Sequence, residues 1–183
     1  MKSRLMILAL AVFSFSAFRA NAQVDVTINP IGLLFGDLSI GGDFILSDEF
    51  SVEGTIGIGG GNDDFTNLKW SNIPVTVVGK YYFNPDDGAD KFYADAFLRF
   101  VSRSYKADGN TDYSEYSQTR LGLGIGIGYK AVSRSGIVFD IGFGVGRALI
   151  DNTKFENNGD EFTVDWPDIM FQGKLGIGYR FGG

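Results

Sequence analysis

The sequence predicts an all-β chain folded as an eight-stranded antiparallel up-and-down transmembrane β-barrel. Three observations carry that prediction. Apolar and non-apolar residues alternate with period two in eight separate runs, the spacing that places successive side chains on opposite faces of a strand. The face opposite the apolar one is largely glycine with a few charges, as in "LGLGIGIGYK" at 121–130. After the first connection, long and short links alternate, as they do when the two ends of a barrel face different compartments.

In chain order, residues 1–22 read as a signal peptide. Lys2 and Arg4 precede an apolar stretch from Leu5 to Phe18, and Ala20-Asn21-Ala22 offers small-residue cleavage before Gln23. The stretch is short of the ~20 apolar residues that a spanning helix needs. Residues 23–183 then form one domain. Without Lys2, Arg4 and Arg19 it holds 13 basic against 22 acidic side chains, a net charge of −9 that argues against nucleic-acid binding. The chain has no cysteine, which removes disulfides, thiolate metal sites and an N-terminal lipid anchor on cysteine.

The eight runs are placed at 24–35, 38–47, 50–60, 72–83, 91–105, 117–131, 137–150 and 168–181. The first link, around Gly36-Asp37, reads as tight; Ser47-Asp48-Glu49 is short, 61–71 long, and 84–90 moderate and turn-like. Residues 106–116 are long, 133–136 tight and 151–167 longest. In the fifth run Phe92, Ala94, Ala96, Leu98 and Phe100 oppose Asp95, Arg99 and Arg103. In the sixth the apolar face lies opposite Arg120 and Lys130, and in the seventh Phe139, Ile141, Phe143 and Val145 oppose Asp140 and three glycines. In the eighth, Phe171, Leu175, Ile177, Tyr179 and Phe181 oppose Gln172, Lys174 and Arg180.

The polarity follows from volume. Eight strands enclose a space only just wide enough for side chains, so bulky residues from every strand would overfill it, whereas glycines and a few charges fit. The apolar face therefore points outward, to lipid. Tyr81, Phe83, Phe92, Tyr129, Phe139, Tyr179 and Phe181 share that face near the short links, the position of an interfacial aromatic girdle.

The signal peptide, the eight runs and the closing "KLGIGYRF" together resemble small eight-stranded outer-membrane β-barrels of Gram-negative bacteria, of the OmpA transmembrane-domain and OmpX kind. The resemblance implies a cell-envelope protein in the outer membrane, with outer-membrane lipid and lipopolysaccharide as surroundings. It also implies delivery to the barrel-assembly machinery by the last strand, where Leu175, Ile177, Tyr179 and Phe181 match the alternating signal that ends in an aromatic. Gly182 and Gly183 extend past the usual stop, and no peptidoglycan-binding domain follows. Enzymes of this class resemble one another in using a histidine base, and this chain has no histidine. No enzyme activity, catalytic site, cofactor or metal is expected. "DGNTD" sets Asp108, Asn110 and Asp112 at calcium-loop spacing, but Tyr113 and Thr119 stand where glycine and glutamate belong.

The lumen charges are the remaining chemistry. If 83 and 92 face each other across a turn, Lys80 faces Asp95, which predicts a cross-strand ion pair inside the barrel. Glu53, Arg99, Arg120, Asp140 and Lys174 extend this network, with Lys130 a further candidate. Buried charges must be paired, so a structural network is the reading preferred to a gated pore or ligand site. The three long links hold ten acidic residues against Lys69, Lys106 and Lys154, with aromatics such as Trp70, Tyr113 and Trp166 among them. Solvated hairpins or a surface for a partner both fit that composition. Three functions remain: a structural or surface-interaction protein of the envelope, a narrow pore or small-ligand transporter, and a soluble periplasmic calycin-like binding barrel.

Overall fold

A computed structural model describes residues 23–34, 36–63, 68–86, 88–107, 114–157, 160–163 and 168–182. The proposed signal peptide lies outside them, as do Asp64, Phe65, Asp108, Asp112, Tyr113, Asp165 and Trp166 of the long links. Among the described residues there are nine strands: β1 (Val24–Ile28), β2 (Asp37–Ser47), β3 (Phe50–Asp63), β4 (Leu68–Tyr82), β5 (Lys91–Ala107), β6 (Ser114–Val132), β7 (Ile137–Asn157), β8 (Asp160–Thr163) and β9 (Ile169–Phe181). Each of β1 to β7 pairs antiparallel with its sequence neighbour, and β9 joins β7 on one side and β1 on the other, which closes the ring. These eight are the staves of an all-β, up-and-down barrel. β8 only extends a hairpin beyond the rim, against Lys154–Asn157 of β7.

The apolar phase is outside. Ile125 and Ile127 of β6 are each 70% exposed, whereas Lys80 and Tyr82 are fully buried within the ring. The glycine phase makes room for the side chains of other staves. A methyl group on Gly128 would collide with the ring of Tyr93, one on Gly124 with Phe97, and one on Gly122 with the sulfur of Met170. Two strands thus stay bare so that three bulky residues from β5 and β9 can fill the lumen.

Three local features differ from the sequence expectation. The first run does not continue to 35. β1 ends at Ile28, and a short helix, α1 (Pro30–Leu34), follows. Asn29 caps it by accepting from the backbone N–H of Ile31 and of Gly32, each at 3.1 Å, and proline occupies the first helical position. The first connection is therefore a helical link, not a tight turn, and it removes the exception to the alternation of long and short links. Secondly, β5, β6 and β7 run to 17, 19 and 21 residues, well past the ~9–11 that a tilted strand needs to cross a bilayer, so much of the expected loop is strand. Thirdly, β7 carries a bulge. Gly122 faces Ala148 but Leu121 faces Ile150, which leaves Leu149 as the extra residue. Leu149 and Ile150 both point outward, and the inward phase switches from even to odd numbers above them. Asp151, expected in an outer loop, lies instead within the barrel wall, 2.9 Å from Nε of Arg120.

Candidate functional site

The lumen is crossed by one connected network of buried charge. Lys80 of β4 donates from Nζ to Asp43 Oδ2 of β2 (2.7 Å) and Asp140 Oδ2 of β7 (2.9 Å), and it forms an ion pair with Glu53 of β3. Lys174 of β9 joins Glu53 and Asp140 from the other side. Lys130 of β6 donates to Asp25 of β1 (2.8 Å) and to Asp43 (2.5 Å). Arg180 of β9 grips Asp25 with Nε (2.7 Å) and Nη2 (3.0 Å), the paired geometry that a guanidinium and a carboxylate make best.

Four carboxylates (Asp25, Asp43, Glu53 and Asp140) meet four cations (Lys80, Lys130, Lys174 and Arg180), so the network is neutral as a whole. Seven staves supply a charge. The eighth, β5, supplies Tyr93, whose hydroxyl donates to Asp140 Oδ1 at 2.8 Å. Tyr82 lies beside it with rings 5.3 Å apart, and the Tyr82 hydroxyl accepts from Ser51 at 3.3 Å.

The short-link end is closed by the connection between β4 and β5. Arg180 donates to the carbonyls of Gly88 (2.7 Å) and Ala89 (3.2 Å), and Ala89 is fully buried against Tyr82 and Tyr93. Gly88 has φ of +58°, a left-handed conformation that glycine adopts without strain. That kink aims two carbonyls into the barrel.

The residues expected in the lumen do not all meet. Glu53, Lys80, Asp140 and Lys174 do. Asp95 does not. It stands opposite Lys80 in the strand register, but its carboxylate lies over Gly126, and Lys80 bonds instead to three carboxylates on β2, β3 and β7. The predicted Lys80–Asp95 pair is thus corrected: the long lysine side chain turns away from β5 to the point where acids of β3, β2 and β7 converge. Arg120 pairs with Asp151 nearer the outer rim. Arg99 also lies above the network, lining a cavity, and makes no ion pair with a described carboxylate.

Asp25 and Asp43, missing from the sequence expectation, are central. The signal was present, since Asp25 alternates with Val24 and Val26, and Asp43 shares a phase with Gly41. Their runs are short, and an acid next to glycine or a strand start reads as a turn residue.

The seven aromatics of the expected girdle, Tyr81, Phe83, Phe92, Tyr129, Phe139, Tyr179 and Phe181, all stand on the outside, each more than one third exposed. Phe92 and Tyr129 meet edge to face at 4.8 Å, and Tyr179 and Phe181 at 5.0 Å.

Above the network is a cavity of about 290 Å³, lined by Arg99 and Lys174, by Asp37 and Glu53, and by Gln172, Asn72 and several hydroxyl side chains. Asp43, Glu53 and Asp140 bring carboxylate oxygens within 4.8 Å of one another, but lysine ammonium groups already bridge all three.

No protein-family model and no curated protein sequence matches the chain. Solved structures do. The barrel is similar to a major outer membrane protein from Thermus thermophilus, at 14% identity over 89% of this chain and all of that one, with a TM-score of 0.55. It is also similar to Acinetobacter baumannii CarO, at 10% identity over 88% of this chain and 98% of that one, with a TM-score of 0.50. At these identities the likeness shows the fold, an eight-stranded barrel of the outer-membrane type.

Proposed function

We propose that this chain is an integral outer-membrane barrel with a non-enzymatic role in the envelope, structural or in surface contact, and not a pore. The observation that carries this reading is the neutral ion-pair network. It ties all eight staves together across the lumen and, at its level among the described residues, leaves no run of free charge for an ion to follow. The outer face supports the membrane location. Contiguous exposed apolar surface on a protein in water rarely exceeds a few hundred Å², and here apolar side chains cover the outside of every stave. A chain without histidine also lacks the usual general base. Outward-facing Leu175, Ile177, Tyr179 and Phe181 suit recognition of the last strand by the assembly machinery. The strand extensions on the other side would carry any contact with lipopolysaccharide or a surface partner.

Two measurements test the proposal. Electrophoresis of outer-membrane fractions, with and without boiling, should show a band whose mobility changes on heating. A soluble periplasmic band with no shift would instead support the calycin-like alternative. In planar bilayers the protein should give no steady conductance, and reproducible open steps would favour the pore.

A further inference from the structure

The ring has a seam. β1 is only five residues long and pairs with β9 from Ile177 to Phe181. Above that point, among the described residues, no strand pairs with β9 on the β1 side, and α1 stands there instead. A strand edge facing lipid leaves backbone groups unsatisfied, which a bilayer does not tolerate.

Two cavities border this seam, one on each side of the wall. The inner one, of about 290 Å³, has a mixed lining that includes Arg99, Gln172 and Lys174 and the acids Asp37 and Glu53. The outer one, a groove of about 630 Å³, runs over the apolar outside across Leu175, Ile141, Tyr129 and Phe92. Both are bounded by Asn29, Gly173, Lys174 and Leu175. α1 contributes to each, with Gly32 on the inner side and Ile31 on the outer. Gly173 has open space where a side chain would stand.

Inside, a guanidinium and an amide oxygen border the cavity. Arg99 makes no ion pair with a described carboxylate, though Asp37 lines the same cavity, and the buried Oε1 of Gln172 accepts no hydrogen bond among the described residues. An oxyanion suits the first, and a hydroxyl or protonated acid oxygen the second. Outside, the groove crosses four staves. Three interstrand steps of about 4.8 Å give about 14 Å, the reach of a medium-length alkyl chain.

We propose that the seam binds a single-chain amphiphile of the fatty-acid class, its acidic head in the upper lumen at Arg99 and Gln172 and its alkyl chain in the outer groove. The head satisfies the buried polar groups, α1 and Leu175 flank the passage, and the chain lies along aromatic and aliphatic side chains.

The test uses the full chain refolded in neutral detergent, with folding verified by the heat-dependent mobility shift. Native mass spectrometry then scores adducts with laurate, dodecanol and acetate as probes. The expected result is a laurate adduct at least tenfold more abundant than that of dodecanol or acetate. Arg99→Ala, which breaks no ion pair among the described residues, should reduce it at least tenfold, and Gly173→Trp, which fills the groove mouth, should abolish it. Leu98→Trp, on the outer face away from the groove, should leave it unchanged. Equal binding of dodecanol, equal binding of acetate, full retention by Arg99→Ala or Gly173→Trp, or no laurate adduct because the chain's own residues occupy the seam would each overturn the proposal. None of these results depends on whether the barrel conducts ions.

Discussion

Lys80 shows how much one side chain decides in this lumen. Its ammonium group is fully buried among three carboxylates, and those carboxylates are shared with Lys130 and Lys174. Removing one partner from a buried ion cluster costs about 3–5 kcal/mol, because the charge left behind has lost its solvent and its counter-ion. Lys80→Met should lower the unfolding free energy by that amount in urea titrations of the lipid-reconstituted barrel. Adding Asp95→Leu should recover nothing, since Asp95 is only a register neighbour. Adding Glu53→Gln should recover part of the loss, because it returns the network to neutrality. Recovery with Asp95→Leu and none with Glu53→Gln would mean that Lys80 pairs with its register neighbour on β5 after all. Tyr93→Phe is a milder probe. It deletes the 2.8 Å bond to Asp140 and should cost about 1–3 kcal/mol by the same titration.

At the scale of elements, the bare strands β6 and β7 are half of a packing arrangement whose other half is β5. Gly128 and Gly142 leave space for Tyr93, and Gly124 and Gly144 for Phe97. Gly128→Val should therefore destabilise by about 1–3 kcal/mol through overpacking. Combining it with Tyr93→Ala should cost less than the two single changes added together, because the valine then enters the space vacated by the ring. A double-mutant cycle by urea titration checks this, and strict additivity would separate the two positions. The bulge at Leu149 works differently. It re-aims a whole strand end, bringing Asp151 to Arg120 and Thr153 to within 3.1 Å of Gln118. Deleting Leu149 should close the bulge and leave Asp151 and Thr153 facing inward, because Ile150 then follows Ala148 as the single outward residue, so residues 151–157 should keep their protection from hydrogen exchange. Faster exchange there would mean that the outer half of β7 depends on the bulge itself.

Over the whole molecule, the network and the wall reinforce each other. Every stave is fixed to its neighbours by backbone ladders and to the far side by a lumen contact. Local opening of one strand must break bonds to several others, so unfolding should be a single transition. Probes on β1 and on β6 should lose structure at the same denaturant concentration. An earlier loss at β1 would mark the seam as a separately opening unit.

Residue order alone specifies the class of fold, the inward and outward phases, the outward aromatics and half of the network charges (Glu53, Lys80, Asp140 and Lys174), because period-two alternation is local and survives reading one strand at a time. It also locates the short links at 47–49 and 133–136, but reads the first connection as tight where a helix stands. It does not reveal which charges meet. Asp25 and Lys130 are 105 residues apart and Asp25 and Arg180 are 155 apart, and they touch only because closing the ring brings β1, β6 and β9 around one narrow lumen. The switch of β1 into α1 is legible in Asn29-Pro30 but is outweighed by the apolar residues after it. The bulge leaves no comparable mark, since one extra residue in an apolar run looks like any other. Those points are settled in three dimensions because closure of eight strands fixes stagger, and stagger, not composition, sets which side chains share a layer.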